Sequence, residues 1–178
     1  MSNYITSNFS NLIFSCSVPS QWHMEHRVPD HCVVFVRQGK LLISDKGRTE
    51  EIPAGSCVFL KKDCSVRLVK ASFAGKNYEG LNIRLPQNIL EDYFQRHLKN
   101  NEFPQDFTGL SNCFMRLNRT LCLQGLLSSI ILFVEEGQDP GQEMTELKVE
   151  ELILDLLQTN IRFFPTLFDF YRDWNVDL

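Results

Sequence analysis

No apolar run in this 178-residue chain is long enough to cross a bilayer. A spanning helix needs about 18 consecutive apolar residues, and the longest runs, such as Cys32–Val36 and Ile130–Val134, stop far short of that. Met1–Ser10 lacks a basic segment followed by an apolar one, so no secretory leader is expected and the sequence reads as cytoplasmic. Cysteines Cys16, Cys32, Cys57, Cys64, Cys113 and Cys122 form no C-x-x-C pair. Most sit in apolar runs, where a thiol packs as a small hydrophobe, so reduced structural cysteines are the expectation.

Basic charge is also in short supply. The formal net charge is -4, and Lys61, Lys62, Arg67 and Lys70 are too few and too mixed to form the stripe that grips a phosphate backbone. Direct nucleic-acid binding by this chain is not expected. Gly-x-Ser-x-Gly, Gly-x-Gly-x-x-Gly and the P-loop are all missing, which removes the common signatures of nucleophilic and nucleotide chemistry. The adjacent pairs Glu135-Glu136 and Glu150-Glu151 fall in helical stretches, point in different directions and read as solvated faces.

What is present is ordinary globular material, with 43% hydrophobic and 22% charged residues. The stretch His31–Leu60 alternates apolar runs with turns at Gly39, at Asp45-Lys46-Gly47 and at Pro53-Ala54-Gly55. It predicts a compact antiparallel meander with strands near 32–37, 40–44, 48–52 and 56–61. Further strands are expected at 11–18, 22–28, 66–71 and 78–85, and short strands at such regular spacing favour a sandwich or barrel. After Pro86 the period changes. Helical spacing runs over 87–98, over about 118–136 and from about 140 to 158, with Asn100, Asn101 and Pro104 ending the first helix. An aromatic tail follows, with Phe163, Phe164, Phe168, Phe170, Tyr171 and Trp174. The expected class is α+β, mainly β: an antiparallel barrel over 1–86, a helical subdomain over 87–160 and a packed tail over 161–178.

The turns carry a resemblance. Gly47, five residues, then Pro53, Ala54 and Gly55 reproduces the G-x5-P-x-G spacing of the second cupin motif, and Gly39 matches the glycine closing the first. In metal-binding cupins the resemblance implies a histidine three residues after Gly55 and a carboxylate seven before Gly39; this chain has Val58 and Cys32 there. Of the His-x-His pair only His26 falls in place, with Val28 as its partner position. A metal needs several nitrogen or oxygen donors converging on one point, so metal-dependent catalysis loses most of its basis. His23, His26 and His31 remain as rim or lining groups, or as an unrelated site.

Longer segments extend the likeness. VVFVRQGKLLISDKGRTEEIPAGSCVFLKK, GLNIRLPQNILEDYF, and LKVEELILDLLQTN followed by LFDF together resemble the N-terminal sensor and dimerisation half of AraC-type bacterial transcriptional activators, closest to the type III secretion activators. The resemblance implies a cupin-like jelly roll that receives an effector, helices that pair two subunits, and DNA reading by a separate C-terminal half. The sequence ends at Trp174–Leu178, about where that half would begin, so a fragment or a truncated relative is expected. The candidate effector pocket is His26, Cys32, Val34, Val58, Leu60 and Asn82. The candidate dimer helix is Val149, Leu152, Ile153, Leu154 and Leu156, with Val149 and Leu154 as the positions left over for a partner. The effector is either a small molecule or a protein. Phe35, Phe59 and Leu60, if directed inward, would fill the barrel and favour a protein. No cofactor, metal or catalytic residue is expected; the competing reading is a cupin enzyme, an isomerase or dioxygenase with a non-standard metal site.

Overall fold

Period-two alternation in the first half of the chain becomes a two-layered antiparallel barrel, and the helical second half covers one of its faces. The computed structural model describes residues 4–99 and 108–170. Its strands are β1 (Tyr4–Phe9), β2 (Ile13–Val18), β3 (Trp22–Arg27), β4 (His31–Gln38), β5 (Lys40–Asp45), β6 (Arg48–Pro53), β7 (Cys57–Leu60), β8 (Ser65–Ala71), β9 (Tyr78–Leu85) and β10 (Phe114–Arg116). Its helices are α1 (Gln87–His97), α2 (Leu121–Glu135), α3 (Gln142–Thr159) and the short α4 (Phe163–Leu167). One sheet runs β1-β2-β9-β4-β7-β10 and the other β3-β8-β5-β6, a jelly-roll arrangement of the cupin kind. Asn100, Asn101, Pro104, Tyr171 and Trp174, to which helix-ending and tail roles are assigned above, lie outside the described residues.

The meander expected over His31–Leu60 is not what forms. β4 pairs with β9 and β7 in the larger sheet, whereas β5 pairs with β6 and β8 in the smaller one. The chain changes sheets at Gly39. There φ is +71°, and a Cβ would stand 2.6 Å from the Ala71 carbonyl oxygen and 2.8 Å from the Tyr78 Cα, so only glycine fits the crossing. The Asp45-Lys46-Gly47 turn does make a hairpin, with left-handed φ at both central residues joining β5 to β6. Pro53-Ala54-Gly55 turns the chain back, with the Ser56 N–H donating to the Pro53 carbonyl at 3.1 Å.

The larger sheet has a core on each side. Between the sheets lie Val34, Val36, Leu41, Ile43, Ile52, Val58, Leu60 and Tyr78. Between the larger sheet and the helices lie Val33, Phe59, Ile83, Phe94, Leu126, Leu152, Ile153 and Phe163. Phe59 therefore points out of the barrel to meet Phe163 edge-on at 5.0 Å, and Phe35 packs on the helical side too. Of the three large side chains expected inside, Leu60 alone is inside. The sheet also continues past residue 86, because β10 adds to β7 after α1 has formed. Pro86 ends β9 and supplies the extended N-cap of α1, and the Thr120 hydroxyl accepts from the Leu123 N–H to cap α2. The same hydroxyl donates to the buried Asp155 carboxylate at 2.7 Å, tying the start of α2 to α3.

Candidate functional site

Both sheets contribute to a cavity of about 280 Å³ in the barrel interior. From the larger sheet come Phe14, Cys16, Cys32, Val34, Leu60 and Asn82; from the smaller come Met24, His26, Leu41, Leu68 and Lys70, and Asp30 and Arg84 stand at one end. Register explains the grouping. Phe14, Asn82 and Val34 sit side by side across β2, β9 and β4. Facing them, Trp22, Lys70 and Leu41 sit side by side across β3, β8 and β5. Of the expected pocket, His26, Cys32, Val34, Leu60 and Asn82 line this cavity. Val58 is fully buried in the same inter-sheet core but is not among the lining residues.

The polar groups are few. Arg84 pairs with Asp30. Lys70 is 4% exposed, yet among the described residues its Nζ meets only the Cys16 thiol at 3.4 Å and the rings of Trp22 and Tyr78, 5.0 and 5.4 Å from their centroids. Burial, and then the nearby Lys70 charge, lower the pKa of His26. Burial pushes the Cys32 thiol up to about 12, which keeps it protonated and unreactive. Sequence reasoning missed Lys70, although its signal was available. Val66, Leu68 and Lys70 occupy alternate positions of one strand, so a lysine stands on an apolar face.

The histidines do not converge. His23 is exposed on the outer face of β3, His26 faces inward, and His31 is 1% exposed under the helical layer. His31 stacks on Phe59 at a centroid distance of 5.5 Å and accepts the Lys62 N–H at its Nδ1. Among the described residues no group of three or more His, Cys, Asp or Glu is arranged to hold a metal. A wider cleft of about 620 Å³ separates the Pro53–Cys57 turn from α2. Arg116 there already donates to the Ser56 hydroxyl at 2.8 Å. The barrel interior, with its sparsely partnered ammonium, is the stronger candidate.

On α3 the expected dimer residues divide. Val149, Leu152, Ile153 and Leu156 are buried in the chain's own helical core, so Val149 is not a free position; Leu154 is exposed, with Met144 and Leu147 on the same side. An α-helix with apolar residues on more than one stripe fills its own core first, and only the remainder reaches a partner.

Residues 31–163 match the family of the ExsA N-terminal regulatory domain. Among solved structures, an apo ToxT variant from Vibrio cholerae strain SCE256 superposes with a TM-score of 0.60 at 15% identity, over 89% of this chain and 58% of that one. Wild-type ToxT from the same strain, bound to an unsaturated fatty acid, gives 0.56 at 13% identity, over 81% of this chain and 52% of that one. ToxT of strain O395 bound to (E)-4-(8-methylnaphthalen-1-yl)but-3-enoic acid gives 0.52 at 13% identity, over 81% and 56%. This chain thus spans little more than half the length of those structures. No curated protein sequence matches it. The match covers most of the sequence, and the chain belongs to the ExsA N-terminal regulatory domain family, the regulatory half of AraC-type transcriptional activators.

Proposed function

We propose that this domain senses a small molecule held between its two sheets, self-associates through the outer face of its helical layer, and catalyses no reaction. In this reading residues 1–86 sense, residues 87–160 pair two subunits, and DNA is read in the cytoplasm by another part of the activator. The cavity itself carries the proposal: about 280 Å³ of space between the two sheets, beside their packed apolar core. The fatty acid bound by ToxT supports a small-molecule effector in this fold. The outward direction of Phe35 and Phe59 removes the argument that a filled barrel needs a protein effector. A cupin enzyme is not favoured, because the three histidines face three directions and Val58 and Cys32 bring no metal ligand set.

Filling the cavity tests the sensing reading. Val34→Phe in the full-length activator should abolish the transcriptional response to effector while leaving the protein folded by circular dichroism. An unchanged response would overturn it. For self-association, the exposed Met144, Leu147 and Leu154 are the expected contact. Light scattering should find a dimer that Leu147→Asp with Leu154→Asp dissociates at micromolar concentration. A wild-type chain that is monomeric there would count against the pairing.

A further inference from the structure

Lys70 is the one buried lysine among the described residues. The residue is 4% exposed and lines the cavity, and among the described residues no carboxylate pairs with its ammonium; the acid in the cavity lining, Asp30, is held by Arg84. A buried charge without a counter-charge is strongly unfavourable unless something compensates it. The contacts present are weak: a thiol at 3.4 Å and two aromatic faces. Tyr78, whose ring lies under that ammonium, is fully buried, and its hydroxyl has no hydrogen-bond partner among the described residues. The Asn82 amide points its Nδ2 at the same sulfur from 3.9 Å. Two donors thus point at the weak acceptor Cys16, and among the described residues no carboxylate joins them. Around them the cavity lining is largely apolar, with Met24, Val34, Leu41, Leu60 and Leu68.

We infer that the effector is a small organic anion, with its acidic head on Lys70 beside Asn82 and its apolar body between Met24, Val34 and Leu60. This rests on the cavity being the effector site, and it names the chemical class that site takes. Size adds a limit. A cavity of about 150 Å³ accommodates benzene, so scaling to the volume here gives a ligand on the order of eleven non-hydrogen atoms.

Octanoate is the matching probe, with 1-octanol as the neutral control, octylammonium as the cationic one and acetate as the head alone. Isothermal calorimetry and thermal shift on the wild-type chain should rank octanoate above octanol by roughly ten- to hundredfold in affinity, the weight of a charge-assisted hydrogen bond in a dry site. Octylammonium and acetate should give no shift. Lys70→Met should lower octanoate affinity at least to that of octanol while octanol still binds; Tyr78→Phe should leave a smaller preference for the acid. Equal binding of octanoate and octanol by the wild type would overturn the anionic head and leave the cavity standing. So would a Lys70→Met protein that binds octanoate as before, or protection by acetate alone. If no octyl compound binds the wild type, and Val34→Phe does not alter the response of the full-length activator, the cavity reading falls together with the inference.

Discussion

Replacing Lys70 by Met should make the unliganded domain more stable, an unusual expectation for a residue that is 4% exposed. Methionine keeps the unbranched length of the side chain and deletes the charge. Burying an ammonium costs several kcal/mol even after relaxation. Against this stand the two ring contacts at 5.0 and 5.4 Å, together worth roughly 1–3 kcal/mol, and a weak thiol contact at 3.4 Å. The balance favours the variant by about 2 kcal/mol, which for a domain of this size is roughly 4–8 °C in Tm. Urea denaturation with an unchanged slope would measure it. Lys62→Met is the control, since Lys62 lies nearer the surface and reaches Asp169 at 2.8 Å; losing such a pair should change stability by no more than about 1 kcal/mol. A Lys70→Met protein less stable than wild type by 1 kcal/mol or more would show that the ammonium is already compensated, and would refute the reasoning.

Two further outcomes follow from backbone and burial. Gly39→Ala places a methyl group 2.6 Å from the Ala71 carbonyl oxygen at a φ of +71°; the mutant should lose about 2–4 kcal/mol and melt well below wild type, and a neutral effect would mean that the sheet crossing is elsewhere. His31 has its pKa lowered from 6.5 to about 4, first by burial and then by the Lys62 charge. A histidine depressed in the folded state contributes its full stability above the unfolded value and loses it as pH falls. Thermal melts should therefore show stability falling from about pH 6.5 toward pH 4, by up to about 3 kcal/mol from this residue. His31→Asn, which keeps an acceptor for the Lys62 N–H, should flatten that part of the profile, and an unchanged slope would assign it to other groups.

Alternation and turn chemistry made most of the barrel legible. β9, with a nearly regular buried and half-buried rhythm, was readable end to end, and Gly39, Gly47, Pro53 and Gly55 marked the turns. Pairing was not readable, because a period of two says which face is buried and nothing about which strand lies alongside. That is why His31–Leu60 looks like a meander yet divides between two sheets. Strand phase failed for a related reason. All four residues of β7 are buried, since the larger sheet has a core on both sides, so nothing in Cys57-Val58-Phe59-Leu60 distinguishes the inward Leu60 from the outward Phe59. β1 carries Thr6, Ser7 and Asn8 and exists by pairing with β2, while β10 has only three residues and exists by pairing with β7. In the site, turn spacing located His26 and Cys32. Lys70 alone reads as a surface charge, and only its alternation with Val66 and Leu68 places it on the apolar face.

The two-sided burial of the larger sheet also fixes how an effector in the barrel can reach the helices. Along β4, Val34 lines the cavity while its neighbour Val33 packs into the helical core; along β9, Asn82 and Ile83 divide the same way, and along β7 so do Leu60 and Phe59. One thickness of backbone separates ligand from helix. Phe59 then meets Phe163 of α4 at 5.0 Å, so the wall of the cavity is in contact with the last described helix. Close-packed interiors transmit small displacements because they have little free volume to absorb them. The effect is bounded by thermodynamics: a ligand shifts the balance between two arrangements only by its difference in affinity for them. A coupling of about 1–3 kcal/mol is typical. A single ion pair formed on Lys70 in one arrangement and broken in the other would be of that size.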